Sequence, residues 1–264
     1  MKNKSIIIIA SFISLFSCKK DTSNTSSGNE RGSLSVEFDN VAGASDLVLN
    51  TGIYTNESGE NFSVSKLKYY VSNFKFTKTD GTVYEVPQDS SYFLIDEENE
   101  DTHEAAFSVP VGTYKTAEFI IGVDSLRSTM DISKRTGVLD PTAEAGDMYW
   151  GWNSGYIFFK MEGKSDASPE DGNIMYHIGG FGGYTTPTIN NIKTITLDLQ
   201  PRGVAEVRTT GNANLHLFVD VLKVFDGQTS FSIAGHPMEM FTDFSTVVAD
   251  NYSHMITHDH TENE

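Results

Sequence analysis

From Ser33 onward the chain keeps returning to one arrangement: a short run in which apolar and polar residues alternate, closed by a cluster of Gly, Asn, Asp, Ser or Pro. A period of two places every second side chain on one face of an extended strand, whereas a helix needs apolar residues every third or fourth position. Leu34, Val36 and Phe38 alternate with Ser35 and Glu37, and Ile195, Leu197 and Leu199 alternate with Thr196 and Asp198. Leu215, Leu217, Val219 and Val221 form an aliphatic face that leaves His216 and Asp220 on the other. Residues 64–76 read as one long strand with Leu67, Tyr69 and Val71 on one face and Tyr70, Phe74 and Phe76 on the other. Asp80-Gly81 suits the left-handed backbone of a tight hairpin. Many short strands separated by turns predict an all-β fold, an antiparallel β-sandwich of Ig-like or jelly-roll-like type with long loops. The longest loop, 125–148, delivers the chain into a Trp-rich segment. Only Phe241–Met255 holds a helical pattern, so the carboxyl end is expected to be a short helical or irregular tail. No internal repeat divides residues 33–264, which read as a single domain.

The amino terminus fixes the expected compartment. Met1-Lys2-Asn3-Lys4 is basic, Ile6–Phe16 is an apolar run too short to span a bilayer, and Ser17-Cys18 ends it as a bacterial lipobox does. Residues 1–17 are therefore expected to be a lipoprotein signal peptide, with Cys18 acylated and residues 18–32 a polar tether to the bacterial outer membrane, facing either periplasm or cell surface. Cys18 is the single cysteine, which excludes an intramolecular disulfide and any thiolate metal site in the exported domain. The whole chain carries a formal charge of −17; without Lys2 and Lys4, 17 basic residues face 36 acidic ones and the charge becomes −19. Such a balance argues against nucleic acid, whose phosphates require lysine and arginine.

Catalytic signatures are missing. There is no Gly-x-Ser-x-Gly, no cysteine nucleophile, and no Lys-Ser or Lys-Thr after the glycines at 179–183, so the chain is expected to bind rather than to turn over. Metal binding is the better candidate, because imidazole and thioether groups hold copper without cysteine. His258-x-His260 can present two imidazoles from one extended segment, His236-Pro237-Met238-Glu239-Met240 combines an imidazole with two thioethers, and His177 and His216 lie within strands. Oxygen ligands for calcium are available from Asp124 and from the loop Asp96–Asp101, although neither follows an EF-hand spacing. Both tryptophans, Trp150 and Trp152, flank one glycine and are expected on one face of a strand with Tyr156 and Phe158. The run 176–181 is expected to return antiparallel towards them. Exposed indoles would instead suit a surface module that stacks a glycan or holds a partner protein.

Several strings together resemble one family. They are Ser65-Lys66-Leu67-Lys68-Tyr69-Tyr70-Val71-Ser72-Asn73, Ile121-Gly122-Val123-Asp124-Ser125, Gly137-Val138-Leu139-Asp140-Pro141, Met148-Tyr149-Trp150-Gly151-Trp152-Asn153-Ser154-Gly155-Tyr156, Tyr176-His177-Ile178-Gly179-Gly180 and Ala249-Asp250-Asn251-Tyr252. The chain is similar in these to the MbnP-like family of periplasmic or outer-membrane-associated proteins, named for a partner of the copper chelator methanobactin. The resemblance implies copper acquisition, storage or homeostasis, a di-haem cytochrome c peroxidase-like enzyme as partner, and association with an outer-membrane transporter. It further implies that a tryptophan, here Trp150 or Trp152, is oxidised to kynurenine and joins histidines such as His177, His216, His258 and His260 at the copper.

Overall fold

A computed structural model describes residues 30–143, 146–152 and 155–264. Cys18, the signal peptide and most of the tether lie outside them. No helix among the described residues is long and apolar enough to cross a membrane.

The described strands form a five-stranded and an eleven-stranded sheet. In the smaller, β1 (Arg31–Ala42) is flanked by two strands that lie far away in sequence. The larger sheet is built around β2 (Asn61–Lys78), an 18-residue strand. Against β2 pair β3 (Tyr92–Asp96), β5 (Gly112–Ile121) and β6 (Gly155–Lys164). In the smaller sheet β4 (Glu104–Pro110) runs antiparallel to β1. β7 (Asn173–Gly179) returns antiparallel along β6, as the sequence predicts, and β8 (Lys193–Asp198) extends the sheet beyond β5. β9 (Asn212–Asp220) rejoins the smaller sheet, followed by α1 (Ser245–Tyr252) and β10 (Ile256–Asn263). One central pair departs from the antiparallel rule: β1 and β9 run parallel, in register from Ser33 opposite Asn212 to Val41 opposite Asp220. A parallel pair requires a long crossover, and here all of the larger sheet except the short strand Met238–Glu239 lies within it.

The two sheets face each other across one apolar core. Leu34, Val36 and Phe38 of β1 and Leu215, Leu217 and Val219 of β9 enter from one side; Leu67, Tyr69 and Val71 of β2 with Phe119 and Ile121 of β5 enter from the other. Edge-to-face contacts join the layers, Phe38 meeting Tyr69 at 6.2 Å and Phe119 at 5.9 Å between ring centroids. A second, smaller core lies on the outer face of the larger sheet. Tyr70, Tyr156 and Phe158 project there and are roofed by Val123, Leu139, Met148 and Trp150 of the 122–150 segment. The long loop is thus a lid, and its polar residues fasten it. Tyr70 and Tyr156 donate hydrogen bonds to the carbonyls of Val138 and Leu139, and buried Arg135 donates to those of Ser128 and Met130.

Phe74 and Phe76 correct the sequence reading of β2. Both lie in the main core together with Leu67, Tyr69 and Val71, not on the opposite face. The cause is Asn73, whose φ of 58° breaks the register between Ser72 and Lys75. One extra residue in a strand exchanges its two faces beyond that point. Asparagine tolerates this left-handed conformation better than most residues. The shift lets Phe74 contact Phe76, Phe93, Phe107 and Phe119. Accordingly Asn73→Val is expected to cost about 1–3 kcal/mol through backbone strain, and Asn73→Gly about 1 kcal/mol or less. Urea unfolding of the two variants checks this; equal losses would remove the bulge from the account.

Candidate metal centre

The carboxyl end is not an irregular tail. After α1 the chain enters β10 and pairs antiparallel with β9. Its expected His-x-His spacing would put His258 and His260 on one face. The structure separates them, because the register shifts between His216 and Leu217: His258 lies opposite Leu217 and His260 opposite His216. His258 consequently points inward, buried, where its Nε2 meets the Thr261 hydroxyl at 2.9 Å. Asp259 is the extra residue of the bulge, and His260 emerges beside it on the outer face next to His216.

Three groups from two strands converge as a result. The His216 and His260 rings stack at 4.9 Å between centroids with planes 28° apart. Asp259 reaches both, its Oδ2 2.7 Å from His260 Nδ1 and 3.4 Å from His216 Nδ1. One donor atom from each of His216, Asp259 and His260 lies within 4.8 Å of the others. The surroundings are anionic: Asp39 Oδ2 stands 3.6 Å from His216 Nε2, and Glu262 Oε1 stands 3.4 Å from His260 Nε2. Arg202 braces Asp259 at 3.3 Å. The His216 Nδ1 atom is buried without a hydrogen-bond partner of good geometry among the described residues. Two imidazoles and a carboxylate so placed are a donor set for a borderline divalent cation. A metal–nitrogen bond of about 2.0–2.1 Å limits two ligands on one ion to about twice that separation, so a modest closing rotation of the rings completes the set.

Electrostatics divide the histidines. The hydrogen bond to Asp259 raises the pKa of His260, and the same bond holds that of Asp259 below the ordinary carboxylate range. Burial lowers the pKa of both His258 and His177.

The other sequence candidates occupy separate places. His177, in the larger sheet, is held by Glu162 at 2.8 Å and joins a charged layer of Lys160, Lys66 and Lys68 around Asp147. His236 lies flat on Phe244 and pairs with Glu239 at 2.9 Å, while Met238 is half-buried and Met240 exposed. Asp96 pairs with Lys68 at 2.9 Å, and Asp124 caps the short helix Ser125–Ser128 and accepts from Tyr92. Trp150 forms a two-residue bridge with Gly155 and is buried. Its ring abuts Gly179, where a Cβ would stand 2.8 Å away, so Trp150 sits two residues along β7 from His177. Trp152 is not on that strand: Gly151-Trp152 turns outward and leaves the indole 66% exposed. Asp259 is the candidate ligand that sequence reasoning missed, its signal masked by the histidines on either side.

Comparisons with known proteins agree on one group. A family model described as MbnP matches residues 31–241. The solved structure of MbnP from Methylosinus trichosporium superimposes with a TM-score of 0.51 at 14% identity, covering 81% of this chain and 82% of that one. That likeness is one of fold. No curated protein sequence matches the chain. The family match includes His177, His216 and both tryptophans and ends before Asp259 and His260.

A titration separates these environments. Histidine ring-proton shifts followed by NMR are expected to show His260 titrating above the ordinary value of about 6.5 and His177 and His258 below it. The raised value of His260 adds stability below pH 6.5 that disappears as pH rises through its folded pKa. The lowered values of His177 and His258 add stability above pH 6.5 that is lost as pH falls through theirs. A His260 midpoint below that of His258 would overturn the assignment.

Proposed function

The chain belongs to the MbnP family, and on that premise we propose that it is an exported, lipid-anchored copper-binding protein that takes its ion at His216, Asp259 and His260. The convergence of these three donors across the β9–β10 bulge carries the reading. Imidazole nitrogens favour copper over the calcium considered from sequence, since calcium takes oxygen ligands. Asp39 and Glu262 would add negative field around a bound cation. A site that holds its ion with resident side chains and displays no nucleophile suits acquisition or storage rather than turnover.

The tryptophan chemistry belongs to the same reading. A di-haem peroxidase-like partner would oxidise an indole by cleaving its C2–C3 bond; two peroxide equivalents supply two oxygen atoms and leave as water, and hydrolysis releases C2 as formate, leaving kynurenine. Trp152 is accessible to such a partner, and Trp150 is the one set beside the strand that carries His177. Intact mass of protein made with and without its native neighbours distinguishes modified from unmodified chain by a gain of one oxygen less one carbon.

Copper titration of the full chain, followed by gel filtration and metal analysis, tests the site. One retained equivalent is expected. His216→Ala and His260→Ala should each weaken binding at least about tenfold, and His236→Ala should leave it unchanged. Protons compete for His260, so affinity should fall as pH drops below its raised pKa, by about tenfold per unit for each imidazole that must be deprotonated. Copper retained undiminished by the His216→Ala/His260→Ala double variant would overturn the assignment.

A further inference from the structure

A pocket of about 280 Å³ opens beside Trp150, and no histidine and no charged side chain is among its lining residues. Its walls are aromatic and hydroxylic. Trp150, Phe241 and Tyr184 supply rings, and Thr186 and Thr188 supply hydroxyls. Those hydroxyls make no hydrogen bond with the described residues. Gly180 and Gly183, at φ of 116° and 91°, bring bare backbone to the pocket wall, and any side chain there would collide with Ile189 or Thr186 carbonyl oxygens.

Two of the most exposed large rings among the described residues belong to this region, Tyr184 in the pocket wall and Trp152 against the wall residue Trp150, and both are held. Trp152 leans on Trp150 at 5.3 Å between centroids, with planes 37° apart. Tyr184, 57% exposed, stands edge-on to Phe181 at 5.1 Å and donates to the Ser128 carbonyl at 3.2 Å. Exposed rings fixed in place offer contact area at little entropic cost. An apolar peptide would leave the threonine hydroxyls unpaired, and a charged ligand would find no counter-charge. A ring with C–H faces and equatorial hydroxyls satisfies both walls at once.

We propose that this pocket binds a neutral saccharide, one pyranose ring stacking against the Trp152–Trp150 pair while its hydroxyls bond Thr186 and Thr188. The pocket shares no residue with the cluster of His216, Asp259 and His260, and the proposal concerns the tryptophans in their unoxidised form. It gives the protein a carbohydrate-recognition role alongside metal binding.

The test uses the full chain with its histidines intact and follows tryptophan fluorescence and saturation-transfer NMR. Neutral hexose and N-acetylhexosamine oligosaccharides are the probes, and uronate oligosaccharides of equal length and a leucine-rich peptide are the comparators. A neutral oligosaccharide is expected to bind at least tenfold more tightly than either comparator. Trp152→Ala, at an exposed position, should abolish tenfold or more of that affinity while leaving the urea midpoint unchanged, and Thr188→Val should weaken it severalfold. Absence of binding to every neutral oligosaccharide, a preference for uronates or peptide, or affinity unchanged in Trp152→Ala would each overturn the proposal. Copper stoichiometry measured on Thr188→Val, which lines the pocket and takes no part in the copper reading, is expected to match the parent, so failure here is distinct from failure of the copper reading.

Discussion

Register is the constraint on which this molecule depends. In a β-strand the two faces differ by a single residue, so one insertion exchanges core and solvent for everything that follows. The fold applies this exchange where it gathers aromatic rings and where it gathers the histidine cluster. At Asn73 the slip moves Phe74 and Phe76 into the shared core, where they complete the aromatic contacts that hold the sheets together. At Asp259 it turns His258 inward and brings His260 out to meet His216. A third irregularity lies between Ile157 and Phe159, where Ile157 joins its neighbours Tyr156 and Phe158 in the smaller core. The apolar sandwich and the polar cluster are consequences of the same local geometry.

Much of this was legible in the amino acids. β8 and β9 alternate without interruption and their burial follows the alternation residue by residue, while β1 does so from Val36 to Asn40. The return of β7 along β6 and the helix at Ser245–Tyr252 also follow from pattern. What the pattern could not carry was the bulges, because a strand with an inserted residue shows the same composition as one without. Val64–Phe76 reads as continuous, and only the asparagine at 73 hints at a left-handed step. The carboxyl terminus misled for a different reason. Ile256–Asn263 has few apolar residues, since an edge strand with one half-buried face needs few, and its polar content imitates a tail. Trp152 was placed on a strand by spacing alone, whereas Gly151 allows a turn.

Charge is arranged as deliberately as apolarity. A strongly acidic chain concentrates its lysines Lys66, Lys68 and Lys160 around Asp147, on the outer face of the larger sheet. These pairs fasten the end of the lid at the point where it enters the Trp segment, and the lysine Lys160 also donates to the Asp147 carbonyl at 2.7 Å. The lowered pKa of Asp147 reflects that cationic company against the opposing effect of burial. By contrast the histidine cluster is ringed by carboxylates, with Arg202 bracing one of them. The two faces of the molecule thus present opposite electrostatic characters around similar side chains.

The parallel pairing of β1 with β9 sets a clock on assembly. Ser35 bonds Asn214 across 179 residues of chain, and β10 can add only after β9 is in place. Contacts so distant in sequence form late, because the loop they close must first be ordered. Every residue of the histidine cluster lies on those two late strands. Until the sandwich closes, His216, Asp259 and His260 lie on strands that have not yet met. The cluster is therefore a property of the finished fold, and no partly folded stage before it presents the three groups together.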